Sequence, residues 1–260
     1  MEMDDDCCFH GNNIFSILNQ RGSHLRSEKR DALVLNVLLL GDRQSGRSSV
    51  GNALIGGQEF PTGICAPGVS KTTGCQIRSR SFPGYFRRQG AESDLVLRMI
   101  DTPTVWPRPQ TLHEHCPEGV HVLMIVVRTD QPPENTRLQL YAQSVFGPDW
   151  NRHTTLIFTH ADLLQEAGLQ PSVYLAHTTD WLKALAKEVG GGVSFLDNTS
   201  DWPLIRGRPL RDQLLRLSAR NHHRALRIRA ELNSQLFDVL LQLGVLHQQL
   251  LLLSDRRLQH

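Results

Sequence analysis

The chain reads as a three-layer α/β protein, a mostly parallel sheet of six strands sandwiched by helices, with an extended helix appended at its C-terminal end. Three observations predict this. Short apolar runs alternate with helical patterns along most of the chain. The chemistry-bearing residues fall where those runs end, the edge at which loops of such sheets bind ligands. The sequence is 260 residues long, 40% hydrophobic and 21% charged, enough to bury a sizeable core while presenting a polar surface.

Taken in order, Val34 to Leu40 is almost wholly apolar, as a strand buried on both faces must be, and Ser48 to Leu54 can wind into a helix. Cys75–Phe82, Leu95–Ile100, His121–Val127, Thr154–Phe158 and Val193–Leu196 supply five more strands. Helical patterns fit Thr136–Val145, Ser172–Val189 and Pro209–Ala219. Between the first helix and second strand, Gly56 to Lys71 is rich in glycine and proline and lacks periodicity, which suits a switch loop or an ordinary surface crossover.

The segment Gly41-Asp42-Arg43-Gln44-Ser45-Gly46-Arg47-Ser48 matches the phosphate-loop pattern GxxxxGK[ST] except at Arg47, where lysine belongs. Its strand–loop–helix setting is the one the motif requires. Gly41 and Gly46 allow backbone conformations closed to other residues, so successive N–H groups can face phosphate oxygens at a helix N-terminus. Ser48 is a magnesium ligand in this reading. Arg47 keeps the charge but replaces a slim ammonium with a wider, planar, directional guanidinium.

Asp101-Thr102-Pro103 follows a strand, placing a carboxylate where it can hold magnesium directly or through water. Thr159-His160-Ala161-Asp162 follows another. There Asp162 could accept from the N1–H and amino group of guanine, a pair adenine does not offer, or could cap a helix beginning at Leu163. Asp197-Asn198 ends the last strand, either a place from which backbone and amide could contact a base or merely the turn after a strand.

On Gly41–Ser48 with its continuation Ser49-Val50-Gly51-Asn52-Ala53-Leu54-Ile55-Gly56, Val69-Ser70-Lys71-Thr72, Asp101-Thr102-Pro103, Phe158-Thr159-His160-Ala161-Asp162-Leu163 and Asn198, the chain resembles the GIMAP, or immunity-associated nucleotide-binding, family within the septin- and Toc-like GTPases. It looks like a divergent member containing little beyond the G domain, over about residues 33–219. The resemblance implies a P-loop NTPase domain of GTPase type binding GTP or GDP with Mg2+. By similarity, the loop residues Gly41, Asp42, Arg43, Gln44, Ser45, Gly46, Arg47, Ser48 and Ser49 line the phosphate site, and Ser48 and Asp101 hold the metal. Ser70 or Thr72 is the switch hydroxyl, His160 and Asp162 flank and read guanine, and Asn198 completes the base pocket. It also implies nucleotide-dependent dimers across the switch surfaces.

Two departures weaken catalysis more than binding: Arg47, and Thr104 where family members carry glycine after Asp-Thr-Pro. No water-positioning glutamine follows Asp101, so unassisted hydrolysis should be slow. Arg43 and Arg108 are either groups supplied to a partner or solvated arginines. The expectation is a guanine-nucleotide switch with weak or partner-assisted hydrolysis. Its alternative is a pseudo-GTPase scaffold with a degenerate pocket, acting through the C-terminal helix.

Three segments are expected: a polar tail over 1–30, a G domain over 31–219, and a leucine-rich amphipathic helix over 220–260. In the last, Leu232, Leu236, Val239, Leu243, Leu246, Leu250 and Leu253 recur at intervals of four and three, a coiled-coil seam. Its partner is the G domain itself, a second copy, another protein or a membrane surface. Arg216, Arg220, Arg224 and Arg227 read as a basic stripe beside it, solvated or facing anionic lipid or an acidic partner.

A net charge of +2 gives no argument for a nucleic-acid partner. Five cysteines, Cys7, Cys8, Cys65, Cys75 and Cys116, lack paired spacing, which argues for a reducing, cytoplasmic setting, with peripheral membrane association left open. Polar residues interrupt the leucine-rich segment too often for a membrane span. His113-Glu114-His115-Cys116 and His222-His223 are assigned no metal role.

Overall fold

The computed structural model describes residues 30–62, 74–103, 105–132, 137–197, 203–231, 237–239 and 242. Its centre is a six-stranded sheet in the order β2-β3-β1-β4-β5-β6, formed by β1 (Ala32–Gly41), β2 (Gln76–Arg88), β3 (Ala91–Asp101), β4 (Val122–Arg128), β5 (Thr154–Thr159) and β6 (Val193–Leu196). All neighbours pair in parallel except β2, which runs antiparallel to β3. All six expected strands are present. The antiparallel pair is longer than its apolar core suggested, because Gln89 and Gly90, both at positive φ, turn one strand directly into the other.

Strand β1 lies between two parallel partners and is buried from Leu35 to Gly41, which explains its unbroken apolar run. Its alternate side chains feed two cores. Leu35, Val37 and Leu39 face one layer with α1 (Arg47–Ile55) and α7 (Pro203–Arg220). Leu38 and Leu40 face the other, with α2 (Pro109–His115), α3 (Arg137–Phe146) and, after two short helices α4 (Ala161–Glu166) and α5 (Pro171–His177), α6 (Asp180–Glu188). Each such fully buried aliphatic side chain contributes about 1.5–3 kcal/mol. Asn36 is the polar exception in β1; its amide donates to Gly119 O at 2.9 Å and its N–H to His121 Nδ1 at 3.0 Å. Helices α1 and α7 cross closely at Gly207, where a Cβ would overlap Ala53 O.

The helix expected over Ser172–Val189 is instead two, α5 and α6. Thr178 and Thr179 are extended between them, in keeping with the low helix propensity of β-branched residues. Helix α7 begins at Pro203 and runs through Pro209, the position expected to start it. Helix α2 was not expected from the sequence; Pro109 opens it with a pre-set φ.

The expected helix from residue 220 onward does not continue α7. His222 and His223 both take φ of 55°, turning the chain sharply, and residues 224–229 are not helical, with Leu226 in a β-bridge. Leu226 exchanges backbone hydrogen bonds with Val120 and, with Ile228, is buried in the core, so a period-two pattern prevails there. The arginines of the expected stripe therefore sit partly on α7 and partly on this returning segment. His222-His223 lies in the turn rather than on a helix. Within the leucine-rich region Phe237–Val239 is described as helical, with Phe237 buried against Tyr141 at 5.9 Å between ring centres. The other seam leucines lie outside the described residues. Among the described residues, no helix is long and apolar enough to cross a membrane.

Candidate functional site

The ends of β1, β3 and β5 bring the sequence-predicted residues to one sheet edge. The β1 strand ends at Gly41, where any Cβ would run into Ser45 Oγ and approach Val126 O to 2.5 Å. Gly46 sits at φ 90° as the residue preceding α1, and a Cβ there would meet the Thr159 side chain at 2.9 Å. Both glycines are thus demanded by the packing of the loop onto β4 and β5 as well as by its curvature. Gln44 also takes a positive φ, 59°, completing the tight loop.

Thr159, the last residue of β5, holds the loop from behind: its hydroxyl donates to Ser45 O at 2.7 Å. The first amides of α1 lack intrahelical acceptors, Gly46 brings no side-chain cap, and the first turn carries no acidic residue. That end of the helix favours an anion.

Ser48 donates from Oγ to Asp101 Oδ2 at 2.8 Å, joining the start of α1 to the end of β3. Asp101 is fully buried, and its Oδ1 accepts no hydrogen bond; Ser45 Oγ in the loop is likewise buried without a hydrogen-bond partner among the described residues. A hydroxyl and a carboxylate oxygen with unused accepting capacity are the hard donors magnesium takes, so the residues fit that ion.

Arg47 goes elsewhere than a phosphate-loop lysine is expected to go. Its side chain is 7% exposed, and Nη1 donates to Thr102 Oγ1 and Pro103 O, each at 3.1 Å, while Nε lies 3.7 Å from Asp101 Oδ1. The guanidinium is therefore fastened to the segment leaving β3. Burial pushes the Asp101 carboxyl above its ordinary range, against the opposing pull of Arg47 and the Ser48 hydrogen bond. Burial also lowers Arg47, with Asp101 and then Asp42 opposing it.

After β5, His160 takes a left-handed φ of 57° and precedes α4, which starts at Ala161; Asp162 lies in its first turn instead of capping a helix that begins at Leu163. Burial, helped by repulsion from Arg128, lowers the His160 pKa, favouring a neutral ring, and its Nδ1 lies 3.1 Å from Thr159 Oγ1. Arg43 and Gln44 lie in the loop, and Ser49 in the first turn of α1. Ser70, Thr72, Thr104 and Asn198 lie outside the described residues.

Sequence reasoning missed the link between the two sides. Arg128, at the end of β4, donates to both Asp130 oxygens at 2.8 and 2.7 Å and lies 3.4 Å from Gln44 O in the loop. Between them, Thr129 Oγ1 donates to His160 O at 2.8 Å, and Tyr174 donates to Thr129 O at 2.9 Å. Only the position of Arg128 at a strand's C-terminal end could have suggested it. Trp106, in the loop before α2, reaches Gly41 O through Nε1 at 3.4 Å and packs on Tyr141 at 5.1 Å. Arg108 pairs with Asp238 at 3.4 Å across an exposed contact.

The model of the AIG1 family matches residues 35–203. Immune-associated nucleotide-binding protein 12 of Arabidopsis thaliana is 26% identical over 173 residues, covering 62% of this chain and 41% of that protein. GTPase IMAP family member 8 of Rattus norvegicus is 28% identical over 166 residues, covering 60% of this chain and 22% of its own length. The chain thus spans less than half the length of these curated relatives. Among solved structures, a dimerization-deficient mutant of Toc33 from Arabidopsis thaliana aligns with 82% of this chain and 91% of its own at 18% identity and a TM-score of 0.48. Because the family match opens inside β1 and closes at the start of α7, taking in every strand that frames the loop, the chain belongs to the AIG1 family.

Proposed function

We propose that this chain is a guanine-nucleotide-binding switch protein whose nucleotide state controls association, with hydrolysis slow unless a partner assists. The observation that carries this reading is the Ser48–Asp101 hydrogen bond, which sets a hydroxyl and a carboxylate beside an anion-favouring helix start. His160 and Asp162 follow β5 at the same edge. Ser48 and Asp101 would hold magnesium, which when bound supplies charge neutralisation to the outer phosphates. The loop amides would orient the phosphates, and the Asp162 carboxylate would accept from the guanine edge. The Arg47 charge would counter that of the triphosphate only after leaving Thr102 and Pro103, so nucleotide entry and the position of the segment after β3 are coupled in this reading.

A second reading, an interaction scaffold with a pocket that takes no nucleotide, is favoured by that same placement of Arg47, whose hydrogen bonds are already made. Equilibrium titration with fluorescent GTP, GDP and ATP, with and without magnesium, separates the two. Saturable GTP binding that ATP does not displace is expected, and Asp162→Asn should erase that preference. Absence of any nucleotide binding would overturn the first reading and favour the scaffold.

A further inference from the structure

A second concave surface lies at the opposite edge of the sheet. It is bordered by the residues just before β5, the glycine turn before β6 and the chain returning from α7 toward the start of β4. Gly41, Asp101 and Thr159 mark the C-terminal ends of their strands; this groove lies at the N-terminal ends. It is a solvent-open groove of about 720 Å³, a volume in the range of small-molecule sites.

Five arginines from three separate segments line it: Arg152, Arg220, Arg224, Arg227 and Arg229. The one carboxylate in the lining is Asp149, 3.6 Å from Arg152 in an exposed pair. Among the described residues none of the other four guanidiniums makes a salt bridge. The convergence is built by the backbone. Two successive left-handed histidines fold the chain back, His223 N–H donating to Ser218 O at 2.8 Å. Burial of Leu226 and Ile228 then fixes the returning segment so that Arg227 and Arg229 alternate outward.

Like charges held on a fixed scaffold repel one another, and a concave arrangement concentrates their potential. An anion that enters relieves that repulsion. The planar, forked guanidinium matches phosphate oxygens two at a time, and five of them exceed what one carboxylate can engage.

We propose that this groove is a binding site for a compact, multiply phosphorylated small molecule, separate from the nucleotide loop. The site does not depend on whether the loop binds guanine nucleotide.

The test is calorimetric titration of the whole chain with inositol hexakisphosphate, alone and with GDP in excess. We expect saturable binding of one equivalent that GDP leaves in place. Arg220→Gln and Arg227→Gln, both at exposed positions, should each weaken it roughly tenfold, in line with loss of a charge-assisted hydrogen bond. Arg220→Lys should recover only part of the loss. In wild type the ligand should raise the unfolding temperature, and the double Gln variant should lose that rise while keeping the unliganded temperature. Equal affinity in wild type and the Gln variants would overturn the proposal, as would displacement by GDP. So would equal binding of polyglutamate, which would assign the groove to an acidic chain. Capture by phosphoinositide vesicles without binding of the free headgroup analogue would overturn it in favour of a membrane surface.

Discussion

Arg47 and Asp162 stand in comparable places, each in the first turn of a helix that follows a buried strand, yet their surroundings differ sharply. Arg47 is 7% exposed and tied to Thr102, Pro103 and Asp101, whereas Asp162 is only partly buried on a helix of six residues. The Arg47 side of the proposed site is therefore part of the core, and changes there alter folding. Asp162, partly solvated in the first turn of a short helix, is not packed into the core as Arg47 is. Tests of function at the two sides need different controls.

The largest expected effect is on the phosphate side. Arg47→Ala strips a buried cation from a fully buried carboxylate, and breaking such a pair costs about 3 kcal/mol or more. Urea denaturation should show that loss, while Asp162→Asn should stay within about 0.5 kcal/mol of wild type. Equal losses from both would break the contrast.

An intermediate effect sharpens it. Thr159→Val keeps the volume but leaves Ser45 O without the hydroxyl that holds the loop, and should cost about 1–2 kcal/mol by the same measurement. A neutral result would mean that the loop keeps its shape without β5.

The smallest effect concerns the bridge between the two sides. Hydrogen bonds from Arg128 hold the Asp130 carboxyl below its ordinary value of 3.8. This pair therefore stabilises the fold above that pH, and its contribution fades as pH falls through the lowered value. Because both groups are partly solvated, Arg128→Ala should cost only about 0.5 kcal/mol at neutral pH. The gap from wild type should close below about pH 4, as Asp130 takes up its proton. A gap that widened in acid would show that Arg128 acts through something other than this carboxylate.

What the sequence disclosed follows the same division. The strand–loop–helix from Val34 to Leu54 was legible because an unbroken apolar run, two glycines and a serine each impose a local requirement that tertiary structure then reinforces. The six strands were legible for similar reasons. Arg47's destination was not, since the pattern locates the residue but Thr102 and Pro103, more than fifty positions away, decide where its guanidinium rests. Arg128 and Thr129 were passed over because their roles arise only when β4 is set between β1 and β5. The returning segment was misread for another reason: Leu226 and Ile228, spaced by two, lie among arginines whose spacing by four and three also suits a helix. The choice between those periods was made by Val120, which offers a backbone partner on a strand's approach.

That returning segment fixes a starting point in space. Leu226 is bonded to Val120, and Ala230 O accepts from Gln110 Nε2 at 3.0 Å, beside the loop that carries Trp106 and Arg108. Residues 237–239 lie beside the same loop, so their contacts with it form within one chain, at an effective concentration far above that of a free molecule. Phe237, buried against Tyr141, and the exposed Arg108–Asp238 pair both gain from that proximity, and the second is a contact too weak to join two free molecules.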